Sequence, residues 1–347
     1  MLEEIITDLI SQNGSDIHLS VGRKPAIRVA GQLLFLMNSK PLSKEDIDEI
    51  LSKLVDKDSV KKFYEEKELD FSYTFKKETR LRGNAYFQRG DVAIALRLVP
   101  KSKSLNELHL PEILESFARK QQGFFLVVGP VGQGKSTTMS AMLSLINNER
   151  ACHIVTIEDP VEFIYEPQKS IIDQREIGID TKDFDSALKS VFREDVNVIM
   201  IGEMRGPETI KTAVTAAETG HLVISTLHTN NASQTIARII DSFPSGQQDE
   251  IRAQLASSLI GVFSQRLIPR IEGGRVPAYE LMINNSAIAN LIRENRTHEI
   301  DVVIETGYQQ GMIDMNRSLL ELVQKGEITM ESAMQYSFNP QALEGLM

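Results

Sequence analysis

The sequence predicts an α/β protein in two parts. One is a mixed α/β module over residues 1–99. The other, after a linker at 100–104, runs from 105 to 347 on a mainly parallel sheet, with a helical C-terminal part from about 247. Three observations predict this. Short apolar runs broken by Gly and Pro fill the first hundred residues, as strands and turns require. The polar stretch PKSKS at 100–104 marks a boundary. Beyond it, strand-sized apolar runs alternate with helical patterns, the pattern of βαβ units whose sheet is covered on both faces.

In the first part, strands are expected at 16–19, 26–29 and 33–36. A helix then opens at Ser43, a good N-cap with Glu45 and Asp46 in the first turn, and Ile47, Ile50, Leu51 and Leu54 form its apolar stripe. Strands return at 70–75, 82–87 and 92–98. In the second part the apolar runs 124–128, 154–157, 198–201 and 222–226 read as buried parallel strands. After about Gln247 the reading turns helical: Leu255, Leu259, Ile260, Val262 and Phe263 fall mostly at helical spacing, and further helices are expected near 287–294 and 315–324.

The 347 residues carry 41% hydrophobic and 25% charged residues, ordinary for a globular protein with more than one core. The formal net charge of -10 argues against a general nucleic-acid binder. The N-terminal MLEEIITDLI is acidic and lacks the basic start and long apolar stretch of a signal peptide, and no apolar run is long enough to span a bilayer. Cys152 is the single cysteine, so neither an internal disulfide nor a cysteine metal cluster is expected. It reads as a small buried hydrophobe in a reducing, cytoplasmic setting.

Residues Gly129, Pro130, Val131, Gly132, Gln133, Gly134, Lys135, Ser136 and Thr137 match G-x-x-x-x-G-K-[ST] in full. The apolar FFLVV leads in, and MSAMLSLI leads out as a helix, which is the context the motif needs. Glycines let backbone amides curl round phosphate oxygens, and the helix N-terminus adds positive potential. Lys135 is expected to neutralise the β- and γ-phosphates, and Ser136 to bind Mg²⁺, so ATP and ADP are the expected ligands. Hydrolysis also needs carboxylates at the ends of neighbouring strands. Glu158-Asp159-Pro160-Val161-Glu162 follows one such strand and Gly202-Glu203-Met204-Arg205 another. His221 and His228 flank the strand at 222–226, where a histidine near a γ-phosphate senses the charge lost on hydrolysis. A zinc site fails for want of further ligands nearby. Arg82 and Arg97, in apolar-rich strands of the first part, are candidates for completing a phosphate site; the ordinary alternative is that they point to solvent.

Taken together, these motifs resemble the secretion-type ATPases of the type IV pilus system, most closely the retraction ATPases of the PilT family. SDIHLSVGRKPAIRVAGQL resembles the start of that family's PAS-like N-terminal domain. GPVGQGKSTT is the Walker A site of a RecA-like domain. TIEDPVEF resembles its acidic box, FREDVNVIMIGEMRGPETI an atypical Walker B with Gly-Glu in place of Asp, and TGHLVISTLHTNNA its histidine box. The resemblance implies Glu162 as the catalytic carboxylate, Glu203 as the Walker B acid and a second group for the Mg²⁺, and His221 and His228 as the histidine-box pair. It also implies Arg82 and Arg97 as phosphate-reaching arginines. A homohexameric ring is implied, at the cytoplasmic face of the inner membrane. It would act on the integral platform protein and, through it, on pilin, with no zinc and no direct contact to nucleic acid. Three departures stand out. Val131 and Gln133 replace the usual Thr and Ser, Gly206 replaces Asp, and AIANLIRE carries Ala289 where the retraction motif has Arg. An assembly ATPase, a DNA-uptake or conjugation motor and a nucleotide-gated structural ring are the alternative readings.

Overall fold

In a computed structural model the chain forms two units, Met1–Lys101 and Ser102–Met347. All residues except 30, 38, 77, 78 and 347 are described. In the first unit, α1 (Leu2–Ser11) buries Leu2, Ile5, Ile6 and Leu9, an apolar stripe at helical spacing. Three strands follow: β1 (Gly14–Ser20), β2 (Ala26–Val29) and β3 (Gln32–Phe35). Next come α2 (Lys44–Leu54) and α3 (Lys57–Glu66), then β4 (Glu68–Phe75), β5 (Thr79–Gln88) and β6 (Asp91–Leu98). The strands make one sheet in the order β3-β2-β1-β6-β5-β4, with every neighbouring pair antiparallel. Ser43 and Asp46 close a full capping box on α2, each backbone amide donating to the other's side chain at 2.8 and 3.1 Å. The stripe Ile47, Ile50, Leu51 and Leu54 is buried against the sheet with α1 and Phe63 of α3.

The second unit begins with α4 (Ile113–Ala118), β7 (Gly123–Val128), α5 (Lys135–Glu149), β8 (His153–Glu158), β9 (Ile171–Glu176) and α6 (Phe184–Val191). It continues through β10 (Val198–Ile201), α7 (Pro207–Glu218), β11 (Leu222–Leu227), α8 (Ala232–Asp241) and α9 (Gln248–Ser258). The last elements are β12 (Leu259–Pro269), β13 (Arg275–Ile283), α10 (Ser286–Arg293), α11 (Ile300–Thr306), α12 (Met315–Gln324), α13 (Met330–Tyr336) and α14 (Pro340–Gly345). The sheet order is β13-β12-β7-β11-β10-β8-β9. Only β13 runs antiparallel, as partner of β12. All six residues of β7 and all six of β11 are buried, because helices cover both faces. One core lies on the side of α6 to α11 and another on the side of α4 and α5. A smaller core gathers α12 to α14 against Ile268, Val276 and Ala278. Cys152 is half-buried, its Sγ 3.3 Å from Ser170 Oγ.

The helical reading of the region from 247 needs correction. The helix α9 stops at Ser258, and Leu259, Ile260, Val262 and Phe263 belong to β12, which with β13 forms an antiparallel hairpin beside β7. A strand buried on both faces shows no two-residue period, so its apolar density imitates a buried helix. The edge strand β9 and the helices α1 and α3 are also additions to the reading.

Candidate functional site

The parallel order determines where chemistry can collect. The strands β7, β11, β10 and β8 lie side by side and point the same way. The loops that leave their C-terminal ends therefore share one edge, where such sheets bind ligands. The phosphate loop leaves β7, residues 228–231 leave β11, residues 202–206 leave β10, and residues 159–162 leave β8.

The loop turns through positive φ at Gly129, Gly132 and Gly134. At Gly129 a Cβ would lie 2.4 Å from the carbonyl oxygen of Gln265, so a side chain is excluded by packing as well as by conformation. Gly134 is the N-cap of α5, and among the described residues no side chain caps the helix's first-turn amides. A 15-residue helix thus presents its positive end with those donors unclaimed by a side-chain cap, a cradle for an anion.

Lys135 is buried in the first turn of α5, and its ammonium donates to the carbonyls of Gly129 and Pro130 at 2.8 and 3.0 Å. A third contact, at 3.2 Å, reaches His228 Nδ1. Burial pushes the Lys135 pKa down, while the charges of Glu203 and Glu162 oppose the shift. Burial and the neighbouring Lys135 also push His228 below the ordinary histidine value, against the pull of Glu203. A neutral imidazole that accepts at Nδ1 carries its proton on Nε2. That nitrogen lies 3.7 Å from Glu203 Oε1. Glu203 meets Arg205 at 3.3 Å, and Arg205 reaches Asp159 at 3.2 Å. A chain of polar groups therefore crosses the ends of four strands: Lys135, His228, Glu203, Arg205, Asp159.

The acidic box divides its labour. Glu158 is buried, which raises its pKa. It accepts from Thr156 Oγ1 at 2.6 Å and from the Glu162 amide at 3.1 Å, so it clamps the loop rather than facing solvent. Glu162 is exposed, and its charge acts on Lys135. Ser136, at the second position of α5, and the Glu203 carboxylate offer hard oxygen donors of the kind Mg²⁺ takes, so the residues fit that ion.

Lys135, His228 and Glu203 come together, and Glu162 stands within electrostatic reach of Lys135. His221 does not join. It precedes β11 at the opposite end of the strand from His228, about 20 Å away at 3.3 Å per residue. Its Nδ1 lies 3.0 Å from the Ala216 carbonyl, and its ring packs edge-on against Phe192. Within this chain the structure therefore places His221 apart from the phosphate loop, beside α7 and Phe192. Arg82 and Arg97 belong to the other unit, as facing positions of β5 and β6. Arg97 Nε donates to Asp16 Oδ1 at 2.7 Å while the arginine side chain stays 70% exposed. Burial works to raise the Asp16 pKa; hydrogen bonds from Ser15 and Arg97 overcome it and hold the carboxyl below the usual range.

Arg205 and Gln265 go beyond the sequence reading. Arg205 had no pattern to rank it, and its two carboxylate partners give it a place. Gln265 is a buried amide in β12, 3% exposed, and no local pattern in the sequence singles it out.

The profile of the type II/IV secretion system protein family matches residues 1–273. The chain is 41% identical over 341 residues to the type IV pilus retraction ATPase PilT of Pseudomonas aeruginosa, covering 98% of this chain and 99% of that one. It is 36% identical to the type IV pilus ATPase PilU of the same organism, over 96% and 88% of the two chains. A crystal structure of the pilus retraction motor PilT with bound ADP superposes with a TM-score of 0.92 at 44% identity, covering 99% of each chain.

Proposed function

The chain belongs to the type II/IV secretion system protein family, and on that premise we propose that it is a P-loop ATPase that drives retraction of a type IV pilus. The observation that carries the reading is the polar chain from Lys135 through His228 to Glu203, laid across the C-terminal edge of a parallel sheet above a complete phosphate loop. ATP phosphates would sit on residues 129–137, with Lys135 turning from the Gly129 and Pro130 carbonyls to the β- and γ-oxygens. Magnesium, held by Ser136 and the nucleotide with Glu203 behind it, would neutralise charge developing on the phosphates. Glu162 would orient and deprotonate the attacking water, and neutral His228 would register loss of the γ-phosphate through its bond to Lys135.

In this reading six copies form a ring. The PAS-like unit of one copy offers Arg82 and Arg97 to the nucleotide of another, and closure and release of that contact are the power stroke. The ring works at the cytoplasmic face of the inner membrane on the platform protein, so that pilin returns to the membrane. No described helix is long and apolar enough to cross a membrane. Steady-state phosphate release tests the site. Lys135→Ala and Glu162→Gln are each expected to lower turnover by at least ~100-fold. Parental rates in either variant would remove that residue from the mechanism.

A further inference from the structure

The floor of the phosphate loop is a single residue 132 positions beyond Gln133. Gln265 lies in β12, two residues before Leu267, in the strand that runs parallel to β7 and pairs Ser264 with Val128. Its amide is used at both ends. Oε1 accepts from Thr138 Oγ1 at 2.6 Å, in the first turn of α5. Nε2 donates to the Gln133 carbonyl at 2.8 Å, at the crest of the loop. Its own backbone carbonyl occupies the space that a Cβ on Gly129 would need. The entrance, crest and exit of the loop thus all rest on Gln265. The contact is returned by the loop. The Gln133 side chain, in a position where a short hydroxyl residue would not span the gap, places Oε1 2.7 Å from the Leu267 amide and accepts from it. The Leu267 side chain also lies 3.4 Å from where a Cβ on Gly134 would stand.

We infer that Gln265 and Gln133 are positioning residues that hold the phosphate loop in its anion-binding shape before nucleotide arrives. The physical reason is preorganisation. A glycine-rich loop has many conformations, and binding an anion in one of them costs entropy unless the fold has already removed the others. A buried amide with both ends satisfied is well suited to this, because neither end has water as an alternative partner. Gln133 makes the brace two-sided, and that is a property of this chain's own loop sequence. The same strand continues into the hairpin whose Ile268, Val276 and Ala278 pack under α12 to α14.

The inference rests on the loop being a nucleotide site, and the test separates the two. Fluorescent mant-ADP with Mg²⁺ is titrated into the full-length protein, and its dissociation rate is measured well below the melting temperature. Parental protein that binds no mant-ADP would sink the nucleotide reading itself. Given binding, Gln265→Met, which keeps length and loses both amide contacts, is expected to weaken affinity about tenfold, mainly through faster dissociation. Gln133→Met, on a half-buried loop position, is expected to weaken it about threefold. The double variant is expected to fall short of the product of the two, because both act through one loop. Leu322→Ala, in the core under α12, serves as a control that lowers the melting temperature without changing the mant-ADP dissociation rate. Parental affinity and dissociation in both glutamine variants would overturn the brace. Should Gln265→Met not fold, Gln133→Met alone decides: an unchanged dissociation rate refutes the proposal.

Discussion

At the scale of single residues, His228 is the most exacting part of the site, because its bond to Lys135 requires a neutral imidazole. An imidazolium has no acceptor to offer an ammonium 3.2 Å away, and two cations there would repel. Burial and Lys135 both keep the folded-state pKa below the ordinary 6.5. A depressed histidine costs stability as pH falls: the unfolded chain takes up its proton first, near 6.5, and the folded chain only at lower pH. ATP turnover is expected to hold through pH 6.5 and to fall below it. His228→Gln is expected to remove that acidic limb while lowering turnover at neutral pH. A pH–rate profile of the two proteins checks this, and coincident acidic limbs would assign the limb to another group.

At the scale of elements, the hairpin of β12 and β13 matters most. Glu280 of β13 is buried, and its carboxyl accepts from the Ala232 amide at the start of α8 at 2.8 Å. Burial pushes its pKa from 4.5 up to about 8, and the charges of Asp301 and Asp314 add to the rise. The folded state then holds a proton that the unfolded chain has released. Stability is therefore expected to fall as pH rises from about 4.5 toward about 8, by about 1.4 kcal/mol for each unit separating the two pKa values. Glu280→Gln keeps an acceptor for Ala232 and carries no charge. It is expected to melt with the parent at pH 5 and several degrees above it at pH 9, as thermal denaturation will show.

Legibility in the sequence followed these same elements. The strand β7 could be read because GFFLVV is apolar throughout and a glycine loop follows it. The α2 boundary could be read because Ser43 and Asp46 signal a cap locally. The hairpin could not, since Leu259 to Phe263 is equally dense as helix or strand, and only pairing with β7 decides between them. His221 and His228 look equivalent in TGHLVISTLHTNNA, yet a six-residue strand puts them at opposite ends of the sheet. Gln265 was beyond any local pattern, because its bond to the loop spans 132 positions of sequence.

At the scale of the whole molecule, the family assignment predicts a phenotype. Deleting the gene in a piliated host is expected to leave the cells hyperpiliated and unable to twitch, which electron microscopy and a surface-motility assay will show together. Loss of pili would instead place the chain with the assembly motors. DNA-stimulated hydrolysis with salt-dependent binding would place it with nucleic-acid transport. The long reach from Gln265 to Gln133 also bears on the order in which the protein is made. The signature stretch for nucleotide is complete by Thr137, but its floor at Gln265 is synthesised 128 residues later, after the other parallel strands of the sheet. A nascent chain that has emerged only as far as β11 carries the phosphate-binding sequence without the support that shapes it. Such a nascent chain is expected to hold nucleotide less tightly than the fold that includes β12.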